Sequence, residues 1–414
     1  MHREIERVFR SEHGRIIAPL IRLSGSFDLA EDAMQEAFLA ALDAWQSGLP
    51  ENPGAWIQTT ARRKLIDRLR RETRQQPLET AGEASVVPLM IQDTTEMFWA
   101  KHDDRLRLIF TCCHPALARE AQVALTLRTL CGLTTANIAR AFVVPEATMA
   151  QRLVRAKHKI RVANIPYREP APGVLPERLE PVLAVVYLIF NEGYAASHGE
   201  ALVRHDLCRE AIRLARLLIE LIPGQAEAEG LLALMLLQDS RARARTGPRG
   251  ELLTLDRQDR SMWDRAQIDE GATLIERALR RRKPGPYQFQ AAIAAVHAQA
   301  PRAEDTDWRE VAALYGELFQ SQPSPIVRLN QAVAIAMAYG YECGLAVMDE
   351  LAQQGDLDDY YMLHASRADL LRRLGRNGEA RIAYARALQL TRNSVEQAFL
   401  RERISGLMIG PASG

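Results

Sequence analysis

The 414-residue sequence has no apolar run near the roughly 18 residues that a membrane-spanning helix needs. It opens on Met1-His2-Arg3-Glu4-Ile5-Glu6-Arg7, a charged stretch without the apolar core of a secretory signal. These absences exclude a membrane role and lead to the expectation of a cytoplasmic protein. Cysteine is scarce, five in all, and no Cys-x-x-Cys pair occurs. That excludes a disulfide scaffold and a zinc ribbon and predicts reduced thiols. The nine histidines show no His-Glu-x-x-His spacing, and no glycine-rich phosphate loop is present. No catalytic set, metal site or cofactor is therefore expected. Neither charge sign dominates, with 53 Lys/Arg, 52 Asp/Glu and a formal net charge of +1. What is present is a 47% hydrophobic, 25% charged chain able to bury real cores. Its length allows about two to four domains.

The balanced charge hides two basic concentrations. Residues 1–165 hold 23 Lys/Arg against 19 Asp/Glu, and the acids are in excess beyond them. Seven basic residues (Arg62, Arg63, Lys64, Arg68, Arg70, Arg71, Arg74) fall within 54–75, and six (Arg140, Arg152, Arg155, Lys157, Lys159, Arg161) within 136–165. Such clusters can neutralise phosphates and release counterions, although a charge run is also what a solvated helix face looks like.

Helical periodicity dominates, and almost no stretch alternates as a strand would. Residues 28–46 carry an apolar stripe of Ala30, Ala33, Met34, Ala37, Phe38, Ala41, Leu42 and Trp45, with Asp28 placed to cap it. Asn52-Pro53-Gly54 opens a second helix that reaches Arg74 and buries Ile57, Ala61 and Leu65. Pro77 ends it. Residues 78–104 are weakly periodic and read as a linker. Further on, Gly132 breaks the chain, Thr134 can cap a short helix over 136–142, Val143-Val144-Pro145 turns, and 146–160 forms a longer basic helix. That is the order of a helix-turn-helix. Pro166, Pro170, Pro172, Gly173 and Pro176 make the clearest joint in the chain. Beyond it, 327–360 and 361–394 align at an offset of 34, with Ala334 on Ala368 and Ala346 on Ala380. This resembles the tetratricopeptide repeat.

Glu31-Asp32-Ala33-Met34-Gln35-Glu36-Ala37-Phe38 resembles the Asp-Ala-x-Gln-Glu-x-Phe helix in the second domain of bacterial RNA polymerase sigma factors. Asp32, Gln35 and Glu36 share one helix face. The resemblance implies that this face docks on the clamp helices of the polymerase β′ subunit. Residues 53–71 resemble the segment that opens and reads the −10 element, with Trp56, Arg62, Arg63, Lys64, Asp67, Arg68, Arg70 and Arg71 implied at the DNA. Arg63 stands where many members have the Asn of the flipped-base pocket. Arg152-Leu153-Val154-Arg155-Ala156-Lys157 resembles the end of the fourth sigma domain, whose helix enters the major groove at the −35 element. By that resemblance Thr148, Ala150, Gln151, Arg152, Arg155, Lys157 and Lys159 lie near DNA.

Both motifs in order resemble the extracytoplasmic-function class, in a subgroup with a fused helical extension. The expected fold is all-α: sigma domain two over 1–77, the linker, sigma domain four with its helix-turn-helix over 105–165, and a tetratricopeptide-like regulatory domain over 166–414. The implied partners are core RNA polymerase (β′ clamp helices and β flap), promoter DNA, the extension acting on the sigma domains within the chain, and a protein or peptide regulator. Asn191, Glu192 and Tyr194, beyond an apolar run, and Asp259, Arg260 and Asp264, around Trp263, are the candidate regulatory contacts. A helix end with Gly193 as its cap is the simpler reading of the first group. Cys112 and Cys113 read as helix packing, as do Cys131, Cys208, Cys343 and Trp263. A conventional helix-turn-helix repressor explains 136–161 but not Asp32–Glu36, and a tetratricopeptide adaptor explains neither.

Overall fold

The computed structural model describes residues 2–75, 104–142, 144–194, 205–248, 251–391 and 393–408. Among these residues the regular elements are helical and no strand forms. The expected linker at 78–104 lies outside them, apart from Asp104. The chain divides into two compact units, Met1–Val185 and Val186–Gly414.

The first unit begins with α1 (His2–Ser24), α2 (Phe27–Ala44) and α3 (Pro53–Gln75). Ser26 caps α2, its hydroxyl accepting from the Leu29 amide at 3.3 Å. Asp28, the expected cap, lies two residues further on, exposed in the first turn, where the helix dipole still favours its charge. Phe27, Ala30, Ala33, Met34, Ala37, Phe38 and Ala41 make the buried stripe of α2. Ile16, Ile17, Leu20, Ile57, Ala61 and Leu65 complete that core.

Four shorter helices follow: α4 (Asp104–Cys112), α5 (Arg119–Thr129), α6 (Thr135–Ala141) and α7 (Glu146–Val162). Thr134 accepts from the Asn137 amide at 3.1 Å, as its position predicted. The proline-rich joint does not hang free. The Tyr167 hydroxyl donates to the Ala18 carbonyl at 2.8 Å, and Arg107 pairs with Glu169 at 3.5 Å. Arg178 donates to the Phe110 carbonyl at 3.1 Å. The division between units therefore falls later than the prolines, inside α8 (Leu175–Tyr194).

The second unit continues with α9 (His205–Leu221), α10 (Ala226–Asp239), α11 (Arg265–Leu279), α12 (Pro286–Gln299) and α13 (Trp308–Ser321). α10 packs against α9, α11 and α12, and its residues Ala228 to Leu237 are all buried. A helix that is apolar nearly all round needs neighbours on every side. Gly193 is not a left-handed cap. It sits inside α8, where a Cβ would meet the Cys208 amide nitrogen at 2.7 Å, so its missing side chain lets α9 approach.

The chain ends in α14 (Pro325–Tyr339), α15 (Tyr341–Gln354), α16 (Tyr361–Arg373), α17 (Asn377–Leu390) and α18 (Ser394–Met408). The two helix pairs start 36 residues apart (325 to 361, 341 to 377). The sequence offset of 34 is thus two short. The helix starts set Ala332, not Ala334, against Ala368, and Gly344 against Ala380. Ala332 and Ala334 are both fully buried, so composition alone does not separate them.

A Cβ on Gly344 would stand 2.5 Å from the Ala332 carbonyl oxygen and 2.4 Å from the Ala336 Cβ. Replacing helical Gly by Ala ordinarily gains about 1 kcal/mol of propensity. Overpacking a tight core costs about 1–3 kcal/mol. Gly344→Ala is therefore expected to lower stability, read as a lower urea midpoint at unchanged slope.

Candidate nucleic-acid interface

α7 has two faces. Met149, Leu153, Ala156 and Ile160 are buried at helical spacing. Thr148, Ala150, Gln151, Arg155 and Lys159 are exposed, and Arg152 is half-buried. Of these, Thr148, Gln151, Arg155 and Lys159 follow one another at intervals of three or four, so a single stripe of the helix carries them. A cationic, hydrogen-bonding stripe on the second helix of a helix-turn-helix can enter a groove of duplex DNA.

Lys157 lies apart from that stripe. Its ammonium is 2.9 Å from Asp28 and 3.0 Å from Glu31, both on α2, with 15% of the side chain exposed. Arg128 of α5 is 3.7 Å from the same Glu31. The sequence offered no signal for the Lys157 contacts, because Lys157 is more than 120 positions from Asp28 and Glu31.

On α3, Arg63, Asp67, Arg70 and Arg71 are exposed, and Arg62 and Lys64 are half-buried. Trp56 rests edge-on against buried Trp45, ring centroids 5.6 Å apart. The candidate polymerase face and the candidate −10 face meet here. Arg68 reaches Asp32 at 2.8 Å and Glu36 at 3.9 Å, and Lys64 is 3.9 Å from Glu36. Gln35 is exposed beside them. These partly solvated pairs are each worth about 0–1 kcal/mol, so a binding partner can displace them cheaply.

Among the described residues of the first unit, one ion cluster centres on a buried carboxylate. Asp104 begins α4 and is only 4% exposed. It accepts from Arg22 Nε at 2.9 Å and Arg107 Nη1 at 2.8 Å. This joins α1 to α4 and so ties the two helical groups together.

The adjacent thiols are structural. Cys112 contacts the Thr129 hydroxyl at 3.2 Å and Cys113 the Thr126 hydroxyl at 3.6 Å. Burial pushes the Cys113 thiol up to about 11 and raises that of Cys112 as well. Cys131 and Cys208 are buried, as expected; Cys343 is exposed, contrary to expectation, on the outer side of α15. No group of His, Cys, Asp and Glu among the described residues could hold a metal.

In the second unit, Asp259 caps the turn at Ser261 (2.9 Å) and Asp264 caps α11 at Gln267 (3.1 Å). They do not bond Arg260. Trp263 is buried, as expected. Tyr194 stacks on Phe190, and Arg241 donates to its hydroxyl at 2.7 Å. No motif in the sequence marks out Arg241 or Arg245. A cleft of about 520 Å³ beside α11 and α12 is lined by Leu279, Ala295, Val296, Asp305, Asp307 and Glu310 among others. Its acids are partly committed: Asp305 pairs with Arg302, and Asp307 caps α13.

The family model for sigma-70 region 2 matches residues 8–75, and that for sigma-70 region 4 matches 107–160. The chain belongs to the sigma-70 family. It is a sigma factor of the extracytoplasmic-function type with a C-terminal extension. Within the extension, residues 178–279 match a family of unknown function, DUF6596. The sigma factor is 43% identical to an uncharacterized protein of Rhizobium meliloti (strain 1021) over 412 residues, which cover 99% of this chain and 97% of that one. The sigma-70 regions support a role in transcription initiation and imply contact with core RNA polymerase and promoter DNA. No helix among the described residues is long and apolar enough to cross a membrane.

Two outcomes follow for this sigma factor. Under native conditions near pH 8, a thiol-specific chromogenic reagent is expected to titrate Cys343 rapidly and the four buried cysteines only after denaturation. Asp104→Ala leaves two arginines without their shared carboxylate. It is expected to cost about 2 kcal/mol, the scale of a hydrogen bond to a charged group, measured by urea unfolding.

Proposed function

We propose that this sigma factor directs core RNA polymerase to promoters, with the stripe Thr148, Gln151, Arg155 and Lys159 at the −35 duplex. Ala150 and Arg152 flank that contact. Trp56, Arg62, Arg63, Lys64, Asp67, Arg68, Arg70 and Arg71 serve the −10 element, while Asp32, Gln35 and Glu36 meet the β′ clamp helices. The region-4 helices meet the β flap. The protein performs no covalent chemistry itself and works in the cytoplasm. The observation that supports this reading best is the division of α7 into an apolar inner face and a cationic outer stripe, on a chain that carries both sigma regions.

Lys157 enters this scheme differently. While it pairs with Asp28 and Glu31, it is not available to DNA. Polymerase binding, which competes for Asp32 and Glu36 close by on α2, also frees Arg68 and Lys64 for the single strand. Binding to DNA without polymerase is therefore weak. The extension regulates the sigma regions within the chain, and a protein or peptide regulator acts through it.

Run-off transcription with purified core polymerase on pooled promoter fragments tests the reading. A truncation at residue 185 is preferable to one at the proline joint, because it keeps Tyr167 and Arg178 on their partners. Transcripts dependent on the full chain are expected, with a different yield from residues 1–185. Equal yields at equal protein would remove the regulatory role of the extension. No transcripts and no capture of core polymerase would sink the sigma reading itself. Arg155→Ala is expected to weaken −35-dependent initiation about 5- to 150-fold, the equivalent of roughly 1–3 kcal/mol for a lost base-edge contact.

A further inference from the structure

The second unit holds a buried arginine, Arg260, and a half-buried one, Arg241, and among the described residues neither is bonded by a carboxylate. Arg260 is 8% exposed. Its Nη1 donates to the carbonyls of His297 (2.5 Å) and Ala300 (2.6 Å), and its Cζ lies 4.5 Å from the centre of the Trp263 ring. Its Nε and Nη2 are buried and have no hydrogen-bond partner. Arg241 spends one Nη2 bond on the Tyr194 hydroxyl, and its buried Nε also lacks a partner. Trp263 Nε1 and His297 Nδ1 are in the same condition.

These groups share one neighbourhood. The Asp264 amide donates to the Ser240 carbonyl at 2.9 Å, which pins the turn of Arg260 to the turn of Arg241. Ala244 and Trp263 belong to one apolar cluster with Leu237, Ile268, Ala295 and Ala298. Burial, Arg241 and Arg260 together push His297 down to about 4, so the imidazole is neutral at pH 7.

None of the nearby carboxylates bonds either arginine. Asp305 acts on Arg260 from a distance but pairs with Arg302 at 2.8 Å. Asp239 accepts from Gln267 Nε2 with Oδ2 at 3.0 Å, and its buried Oδ1 bonds neither arginine. Glu396, which acts on Arg245, accepts from Tyr361 and Thr391 at 2.5 Å each. Among the described residues no carboxylate bonds Arg241 or Arg260.

Buried charges in proteins are normally paired, because an unpaired one carries its full desolvation cost. The unused arginine and tryptophan atoms are all N–H donors. Their complement is an oxygen anion, and the arginine fork suits carboxylate and phosphoryl groups. We infer that the C-terminal extension holds a binding site for a small oxyanion, a carboxylate or a phosphoryl group, formed by Arg241 and Arg260 with Trp263 Nε1.

Thermal unfolding of the full chain tests this, titrated with inorganic phosphate, with malonate and with chloride at matched ionic strength. A saturable rise in melting temperature with half-saturation at millimolar concentration or below is expected for phosphate, malonate or both. Which of them acts assigns the phosphoryl or carboxylate class. Arg241→Met and Arg260→Lys are each expected to raise the half-saturating concentration at least about tenfold, equivalent to roughly 1.4 kcal/mol. Arg243→Met, on the exposed side of the same turn, is expected to leave it unchanged. No rise beyond that with chloride overturns the inference, as does an Arg241→Met chain that responds like the parent. The measurement needs neither polymerase nor DNA, so its failure is separate from failure of the sigma reading.

Discussion

Asp104 stands at the first turn of α4 with both oxygens taken by arginines, Arg22 from α1 and Arg107 from its own helix. Removing a carboxylate from water costs several kcal/mol, and only close, well-aligned partners offset it. Here two charge-assisted bonds and the positive end of a helix dipole do so. The consequence is positional. α1 is locked against α4, the Tyr167 hydroxyl bonds the Ala18 carbonyl, and the region-2 and region-4 helices share one compact unit.

That arrangement sets what the basic residues can do. A cation on a helix surface is free for phosphate only if no acid of the same chain reaches it. Arg155 and Lys159 are exposed on the outer face of α7, whereas Lys157 is turned inward to Asp28 and Glu31. Arg68 and Lys64 are held by Asp32 and Glu36. The acids implied at the polymerase and the cations implied at the DNA are thus each other's partners in the unbound chain. Because the α2–α3 pairs are half-solvated and weak, they moderate binding without forbidding it.

The second unit follows a different logic. Its helices pair through small residues, Ala332, Gly344, Ala368 and Ala380, and through the all-apolar α10. Such packing leaves little room for charge, and so the buried Arg260 and the half-buried Arg241 stand out. Glu229 shows the usual solution on a neighbouring helix: it is buried, and it is bonded by Arg277 and Arg281.

The sequence alone determined the helical class, the capped break at Thr134 and the stripes of α2, α3 and α7. These depend on the period of apolar residues within a single helix, and that period is local. It also carried the two sigma motifs, which are contiguous strings. It misplaced the α2 cap by two residues, missed the exposure of Cys343 and set the repeat at 34 instead of 36, because neighbouring Ser, Asp and Ala satisfy the same local rules. Tertiary structure alone decided that Lys157 faces α2, that Asp104 is a buried junction, that Gly193 marks a close approach, and that Arg241 meets Tyr194. Each of these depends on which distant side chain arrives within a few ångströms. Coulomb energy, desolvation and close packing act through space, and a one-dimensional pattern holds no distance between residues on different helices.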